Sequence, residues 1–176
     1  GEAGNGNELL DLLKKQDADI LFMDIKMPVM GGIQATRKVL QRYPEIRVIG
    51  LTMFDEVSYF NEMVDAGALG FLLKKTTREE LESAIRKVMK GETYFSEEFM
   101  SSIQKYLNPR KPDIDLTERE QEVLELICKG WSNPEIAKFL GLSQRTIDGY
   151  RARLFEKTGA KNAPNLVMYA IKHGLV

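Results

Sequence analysis

Three residues with complementary chemistry stand at the ends of apolar stretches in the first half of the chain: Asp24, Thr52 and Lys74. If these stretches are parallel strands, their carboxyl ends meet at one edge of a sheet, where ligands bind. A carboxylate, a hydroxyl and an ammonium group at one edge suit phosphoryl chemistry, as nucleophile, hydrogen-bond donor and counter-charge. The alternative is that each is a solvated strand-end residue. Phosphoryl transfer also uses Mg²⁺, which prefers carboxylate, carbonyl and water oxygens.

The hydrophobic pattern around these residues alternates between strand and helix. Strands are predicted at 20–23, 47–52 and 69–73. Helices are predicted at 8–15, 33–43, 57–66 and 77–90. Thr77 and Glu80 form a capping box at the start of the last of these helices. This order predicts an α/β fold, a parallel sheet with helices on both faces.

Length and charge suggest two modules. The chain has 176 residues, and residues 105–116 combine two prolines with several charges, as a linker does. Residues 1–104 carry 13 Lys and Arg against 17 Asp and Glu, whereas residues 105–176 carry 12 against 9. An acidic first part and a basic last part favour different partners. The single Cys128 forms no internal disulfide, and no apolar stretch approaches a membrane span, so we expect a cytoplasmic protein with no membrane contact.

The motifs DILFMDIKMPVMGG, VIGLT and GALGFLLKK, in this order, resemble a response-regulator receiver domain. The resemblance implies a flavodoxin-like sheet in which Asp24 is the phosphoacceptor for a histidine kinase. It implies that Thr52 is the switch hydroxyl, Phe71 the switch aromatic and Lys74 the phosphate-contacting lysine. Lys75 is the competing choice, and because successive strand residues face opposite ways, the two lysines cannot both reach the site from the strand.

The magnesium site that the resemblance implies is incomplete in this sequence. Lys26 would give its backbone carbonyl to Mg²⁺ beside Asp24. Receivers begin with a strand that ends in paired metal-binding acids, then a helix and a second strand, whereas GEAGNGNELL matches the stretch after that second strand. We therefore expect an N-terminally incomplete receiver, with Mg²⁺ bound only if the missing acids are present. Either the chain is a fragment, or phosphorylation of Asp24 is doubtful and a partner chain fills the gap.

The last part of the chain contains a helix-turn-helix pattern. Helices are predicted at 117–129, 132–140, 143–158 and 163–173, with no strand. Gly141 lies in the turn of SNPEIAKFLGLSQRTIDGYRARLFEKTG, and Ala137 is small where two helices must cross closely. With LTEREQEVLELICKGWSNPEIA at its start and NLVMYAIKHGLV after it, this part resembles the LuxR-type DNA-binding domain. The alternative is a small helical bundle that serves only for packing.

The third of these helices, which begins at Ser143, is expected to enter the major groove of double-stranded DNA. Its exposed candidates for phosphate or guanine contacts are Arg145, Arg151 and Arg153. Its candidates for phosphate contacts are Thr146, Lys157 and Lys161. The family's base-reading positions map onto Asp148, Gly149 and Ala152. Asp148 repels phosphate but could accept a hydrogen bond from cytosine N4, whereas Gly149 offers no side chain.

Together the two resemblances imply a two-component transcription factor of the NarL/FixJ class. Its expected organisation is a partial receiver at 1–104, a linker at 105–115 and a LuxR-type domain at 116–176. A sensor histidine kinase would phosphorylate Asp24 and promote homodimerisation on half-sites about one helical turn apart. An alternative is a phosphorylation-independent DNA-binding protein whose degraded receiver serves for dimerisation or partner docking. A phosphatase with Asp24 as nucleophile is disfavoured by the missing metal acids and by the DNA-binding part, so we expect no enzyme.

Overall fold

The computed structural model describes residues 1–53, 59–96, 98–101 and 114–176. Contacts between Cα atoms divide the chain into two units, Gly1–Ser102 and Ile103–Val176. Most of the predicted linker, residues 105–113, lies outside the described residues, so the predicted domain limits stay predictions. In the described part of the chain, no helix is long and apolar enough to cross a lipid bilayer.

The described residues of the first unit form a parallel sheet with the strand order β1-β2-β3-β4. Its strands are β1 Ile20–Asp24, β2 Arg47–Thr52, β3 Gly70–Leu73 and β4 Tyr94–Phe95. Its helices are α1 Gly6–Leu13, α2 Gly32–Arg42, α3 Phe60–Asp65 and α4 Arg78–Met89. The three predicted strands are confirmed, and β4 was missed because two residues are too short to show a periodic pattern. The start of the predicted helix 57–66 falls outside the described residues.

Local sequence signals set the ends of these elements. The predicted capping box of α4 is confirmed, because Thr77 accepts a hydrogen bond from the Glu80 backbone and Glu80 returns one to Thr77. The side chain of Asn5 accepts hydrogen bonds from the first turn of α1 in the same way. β2 pairs with β1 and β3 in register, so that Asp24 lies opposite Leu51 and Thr52 opposite Leu73. The carboxyl ends of β1, β2 and β3 therefore meet at one edge of the sheet.

Helices cover both faces of the sheet, as the α/β pattern predicts. On one face, Ile49 and Leu72 pack against Ala84 and Val88 of α4, and all four are fully buried. On the other face, fully buried Phe71 contacts Phe60 of α3, with ring centroids 4.3 Å apart. Burial of these large apolar side chains stabilises the sheet and holds the strand ends in place.

In the second unit, residues 114–176 form four helices and no strand, as predicted. They are α5 Glu118–Cys128, α6 Asn133–Leu140, α7 Gln144–Thr158 and α8 Ala163–Lys172. Gly141 ends α6 with a φ of 66°, a left-handed conformation that favours glycine, so the predicted turn is confirmed. Fully buried residues from all four helices fill the core, including Leu124, Ile136, Ile147, Leu154 and Leu166.

Candidate functional site

The side chain of Asp24 is held at the carboxyl edge of the sheet by two donors. Lys74, the residue after β3, places its Nζ 2.7 Å from Oδ2 of Asp24. The backbone N–H of Lys26 donates to Oδ1 at 3.1 Å. The side chains of Asp24 and Lys74 are 34% and 30% exposed. The carboxylate is therefore fixed in orientation and is still open to an incoming group.

The edge is built by strand pairing rather than by the loops alone. The backbone N–H of Lys74 donates to the carbonyl of Thr52 at 2.9 Å, which continues the β2–β3 ladder to the site. Of the two candidate lysines, Lys74 is the one whose ammonium group reaches Asp24, and Lys75 follows it as an exposed residue. The role of Lys74 in contacting phosphate stays a prediction.

The two predicted switch residues lie on the same side of the sheet and are buried. Thr52 is 1% exposed, and its hydroxyl donates to the carbonyl of Met53 at 3.0 Å. Phe71 stacks on Phe99, with ring centroids 5.3 Å apart and planes 5° apart, and on Phe95 at 6.1 Å. Thr52 would have to turn away from its neighbour's carbonyl in order to reach a phosphoryl group.

The loop after Asp24 returns sharply to the start of α2. Val29, at its tip, is 86% exposed and has a φ of 63°, which is unfavourable for a β-branched residue. At Gly32 the chain passes so close to Asp24 that a Cβ would lie 2.0 Å from the Asp24 carbonyl oxygen. The Gly32 N–H donates to the carbonyl of Ile25 at 3.0 Å. A residue without a side chain is therefore required beside the carboxylate-bearing residue.

The described residues do not complete a magnesium site. They contain no group of three or more His, Cys, Asp or Glu side chains that could hold a metal ion. At the sheet edge, the candidate oxygen ligands are the carboxylate of Asp24 and the backbone carbonyl of Lys26. The side chain of Lys26 turns to the ring of Tyr59, 5.6 Å from its centroid. One carboxylate that already contacts a lysine is a weak donor set for Mg²⁺.

In the second unit, α6 and α7 form the predicted helix-turn-helix. The fully buried Ile147 and Leu154 anchor α7 to the core. Arg145, Asp148 and Ala152 are exposed and follow one another at spacings of three and four, so they share the outward face of α7. Four other predicted DNA contacts lie on or beside this helix, exposed or half-buried: Thr146, Gly149, Arg153 and Lys161.

The prediction that Arg151 is exposed is wrong. Its side chain is half-buried, and its guanidinium group lies over the ring of Phe155, 5.8 Å from the centroid. Burial lowers the pKa of Arg151, and the nearby charge of Asp148 opposes this shift. The i, i+4 spacing of Arg151 and Phe155 permits the arginine stem to cover the ring but does not require it, so the sequence alone does not show this burial.

Two of the residues predicted to contact phosphate, Lys157 and Arg153, instead contact Glu120 within the second unit. The side chain of Glu120 is 3% exposed. Lys157 donates to Oε2 of Glu120 at 2.7 Å and also to the backbone carbonyl of Asp115 at 2.7 Å. Arg153 places its Nε 3.4 Å from Oε1. The hydrogen bond from Lys157, followed by one from the backbone of Thr117, lowers the pKa of Glu120 to about 2. The spacing of Thr117 and Glu120 in the sequence indicates a helix cap, which the structure shows, but not this contact with Lys157.

Comparison with known proteins agrees with both units. Residues 1–86 match the family model of the response regulator receiver domain, and residues 115–170 match that of bacterial regulatory proteins of the luxR family. The chain is 38% identical to the oxygen regulatory protein NreC of Staphylococcus aureus, over 99% of this chain and 85% of that protein.

Solved structures of response regulators are similar as well. The RcsB response regulator of Salmonella typhimurium has a TM-score of 0.53 and 28% identity, over 94% of this chain and 82% of that one. An RcsB–DNA complex has a TM-score of 0.52 and 27% identity, over 96% of this chain and 82% of that one.

Proposed function

Because the chain belongs to the two-component response regulators that join a receiver to a LuxR-type DNA-binding domain, we propose that phosphorylation of Asp24 controls its binding to DNA. The chain is thus a transcriptional regulator of a two-component system. We assign the receiver to residues 1–104, the linker to 105–115 and the DNA-binding domain to 116–176. The hydrogen-bonded and accessible carboxylate of Asp24 is the observation that carries the proposal.

A sensor histidine kinase is the proposed source of the phosphoryl group, in the cytoplasm. One oxygen of Asp24 attacks the phosphorus of a phosphohistidine, and the new O–P bond forms as the P–N bond breaks. The imidazole leaves with the electron pair and takes a proton from water. Lys74, already 2.7 Å from the carboxylate, balances the added negative charge. Receivers bind Mg²⁺, but the described residues do not complete a site for it, so no step is assigned to the metal.

The response to the added charge follows from the buried switch residues. Thr52 exchanges its hydrogen bond to Met53 for one to a phosphoryl oxygen, and Phe71 shifts within its cluster of phenylalanines. Such a shift alters the receiver surface and favours a homodimer. Dimerisation joins two weak DNA-binding units and raises affinity for paired half-sites. Dimers of RcsB on DNA are among the similar structures, with a TM-score of 0.51.

The first test is the intact mass of the purified protein before and after incubation with acetyl phosphate and Mg²⁺. We expect a gain of one phosphate that Asp24→Asn abolishes. Asp19→Asn is the matched control, because Asp19 is exposed and precedes the opposite end of β1. Loss of the phosphate in both variants, or in neither, would exclude Asp24 as the acceptor.

A second candidate function is phosphorylation-independent DNA binding, with the receiver kept for dimerisation or docking. The finding that favours it is that the described residues contain no group of three or more His, Cys, Asp or Glu side chains that could hold a metal ion. The two candidate functions predict different changes in DNA affinity on treatment with acetyl phosphate. Fluorescence anisotropy on a promoter fragment measures the affinity before and after treatment. Tighter binding that requires Asp24 supports the phosphorylation-controlled regulator. Equal affinity for wild type and Asp24→Asn under both conditions supports the second candidate.

A further inference from the structure

One side-chain contact joins the two helices of the helix-turn-helix at their outward side. The Nδ2 of Asn133, the first residue of α6, donates to Oδ1 of Asp148 on α7 at 2.6 Å. The two residues are 15 positions apart, so the contact depends on how the helices cross and not on local sequence. Asp148 is exposed and Asn133 is half-buried. This contact engages one oxygen of the Asp148 carboxylate and orients the other oxygen.

The contact between Asn133 and Asp148 bears on DNA recognition because of where Asp148 lies. Asp148 lies on the outward face of α7 between Arg145 and Ala152, opposite the residues that anchor the helix. A carboxylate on a face that meets DNA repels phosphates and is costly to desolvate without a hydrogen-bond donor. In the major groove, the donors that bases present are the exocyclic amino groups, N4 of cytosine and N6 of adenine.

We propose that Asn133 is a positioning residue, which fixes Asp148 so that its second oxygen accepts a hydrogen bond from the exocyclic amino group of one base. This inference rests on the proposed DNA binding by the second unit. The amide restricts rotation of the carboxylate, so less side-chain entropy is lost when the base is bound. Asn133 thereby contributes to sequence preference and does not read a base itself.

The test is selection of binding sites from a random DNA duplex pool by the full chain, incubated with acetyl phosphate and Mg²⁺, followed by affinity measurements on the selected site. Wild type is compared with Asn133→Ala, Asp148→Ala and the double variant. We expect both single variants to lose preference at the same base pair, by roughly tenfold. The double variant should lose no more than Asp148→Ala alone. For Asn133→Ala, affinity for unrelated duplexes and its dependence on salt should stay as in wild type, whereas loss of the negative charge in Asp148→Ala should raise affinity for all duplexes.

The base selected at that position shows whether cytosine or adenine supplies the amino group. Either base supports the proposal. A uniform loss of affinity for all duplexes by Asn133→Ala, with a weaker salt dependence, would instead mean a phosphate contact and overturn it. The third outcome is a purely structural contact. In that case Asn133→Ala would lower the unfolding midpoint, followed by the fluorescence of Trp131, and leave base preference unchanged, which also overturns the proposal.

Failure of the inference and failure of the proposed function are distinguishable in this experiment. Wild-type protein that selects no DNA sequence overturns the DNA-binding function and the inference with it. Wild-type protein that selects a sequence which neither Asn133→Ala nor Asp148→Ala changes overturns the inference alone. Asn133→Asp is a further control, because it places two carboxylates together and should weaken the preference at least as much as alanine does.

Discussion

Each unit contains a carboxylate–lysine pair with a nitrogen–oxygen separation of 2.7 Å, and the carboxylates of the two pairs have opposite surroundings. Asp24 and Lys74 are each about one-third exposed, at the edge of a sheet. Glu120 is 3% exposed, and Lys157 reaches it from α7 while also bonding the backbone of Asp115. The distance alone therefore does not separate a reactive carboxylate from a structural one.

Access of solvent to the carboxylate is the difference that decides the role of each pair. Water screens an exposed pair, so it adds little to stability and its carboxylate can exchange partners. A buried carboxylate such as Glu120, held by several donors, has no ready partner to exchange, and losing its donors leaves an uncompensated charge. We infer that the Asp24 pair serves chemistry and that the Glu120 pair holds α5 against α7.

The largest effect that this comparison predicts is on unfolding. Glu120→Ala removes the buried carboxylate, its capping hydrogen bonds with Thr117 and its contact with Lys157, and should lower the free energy of unfolding of the second unit by about 2 kcal/mol. Asp24→Asn should change that of the first unit by less than about 1 kcal/mol. Trp131, the single tryptophan, reports the second unit in urea titrations, and far-UV circular dichroism follows both. A Trp131 transition that Glu120→Ala does not move would remove the structural role of this pair.

The acid sensitivity of the second unit is the next prediction. Folding lowers the pKa of Glu120 from 4.5 to about 2, so ionised Glu120 stabilises the folded state above pH 4.5. This contribution is lost as the pH falls from 4.5 through about 2, because the unfolded chain then binds the proton more readily. The free energy of unfolding at the Trp131 probe should decline across that range. Glu120→Gln should flatten this part of the profile, and an unchanged profile would argue against the contact.

The same network predicts which cations contribute to DNA affinity. Lys161 is exposed in the turn after α7, and Lys161→Ala should reduce the slope of log affinity against log salt by about 1. Lys157→Ala should leave that slope unchanged and lower the Trp131 unfolding midpoint instead, since Glu120 holds its ammonium group. Fluorescence anisotropy at several salt concentrations measures both slopes. Equal reductions of the two slopes would place Lys157 on the phosphates.

The two carboxylate–lysine pairs also show which contacts could be predicted from the sequence and which could not. Asp24 and Lys74 were predictable because both end apolar strands, and strand ends meet by the rules of parallel pairing. The capping boxes of Thr77 and Thr117 were predictable because both partners lie within four residues. The role of Glu120 was not, because Lys157 lies 37 residues further along and reaches it only through helix packing. Burial of Arg151 was missed although Phe155 is only four residues away, because this spacing permits the arginine stem to cover the ring but does not require it.

The smallest expected effect concerns backbone strain beside the reactive pair. Among the described residues, Val29 is the non-glycine residue with positive φ, at 63°, whereas the positive-φ positions in the second unit are glycines, such as Gly130 and Gly159. Val29→Asn should stabilise the first unit by about 1 kcal/mol, because asparagine tolerates this conformation and exposed Val29 loses little packing. Val29→Ala is the control and should gain less. Urea titrations followed by circular dichroism measure both.

The rate of phosphate uptake from acetyl phosphate tests whether the strain at Val29 affects the reactivity of Asp24. Strained residues persist at functional sites where the surroundings hold them, and Val29 lies five residues after Asp24 in the loop that closes on Gly32. If Val29→Asn stabilises the unit and changes the rate, the strained loop is part of how Asp24 is presented. If it stabilises the unit and leaves the rate unchanged, the Asp24 pair owes its reactivity to exposure alone. A loss of stability in Val29→Asn would contradict the strain itself.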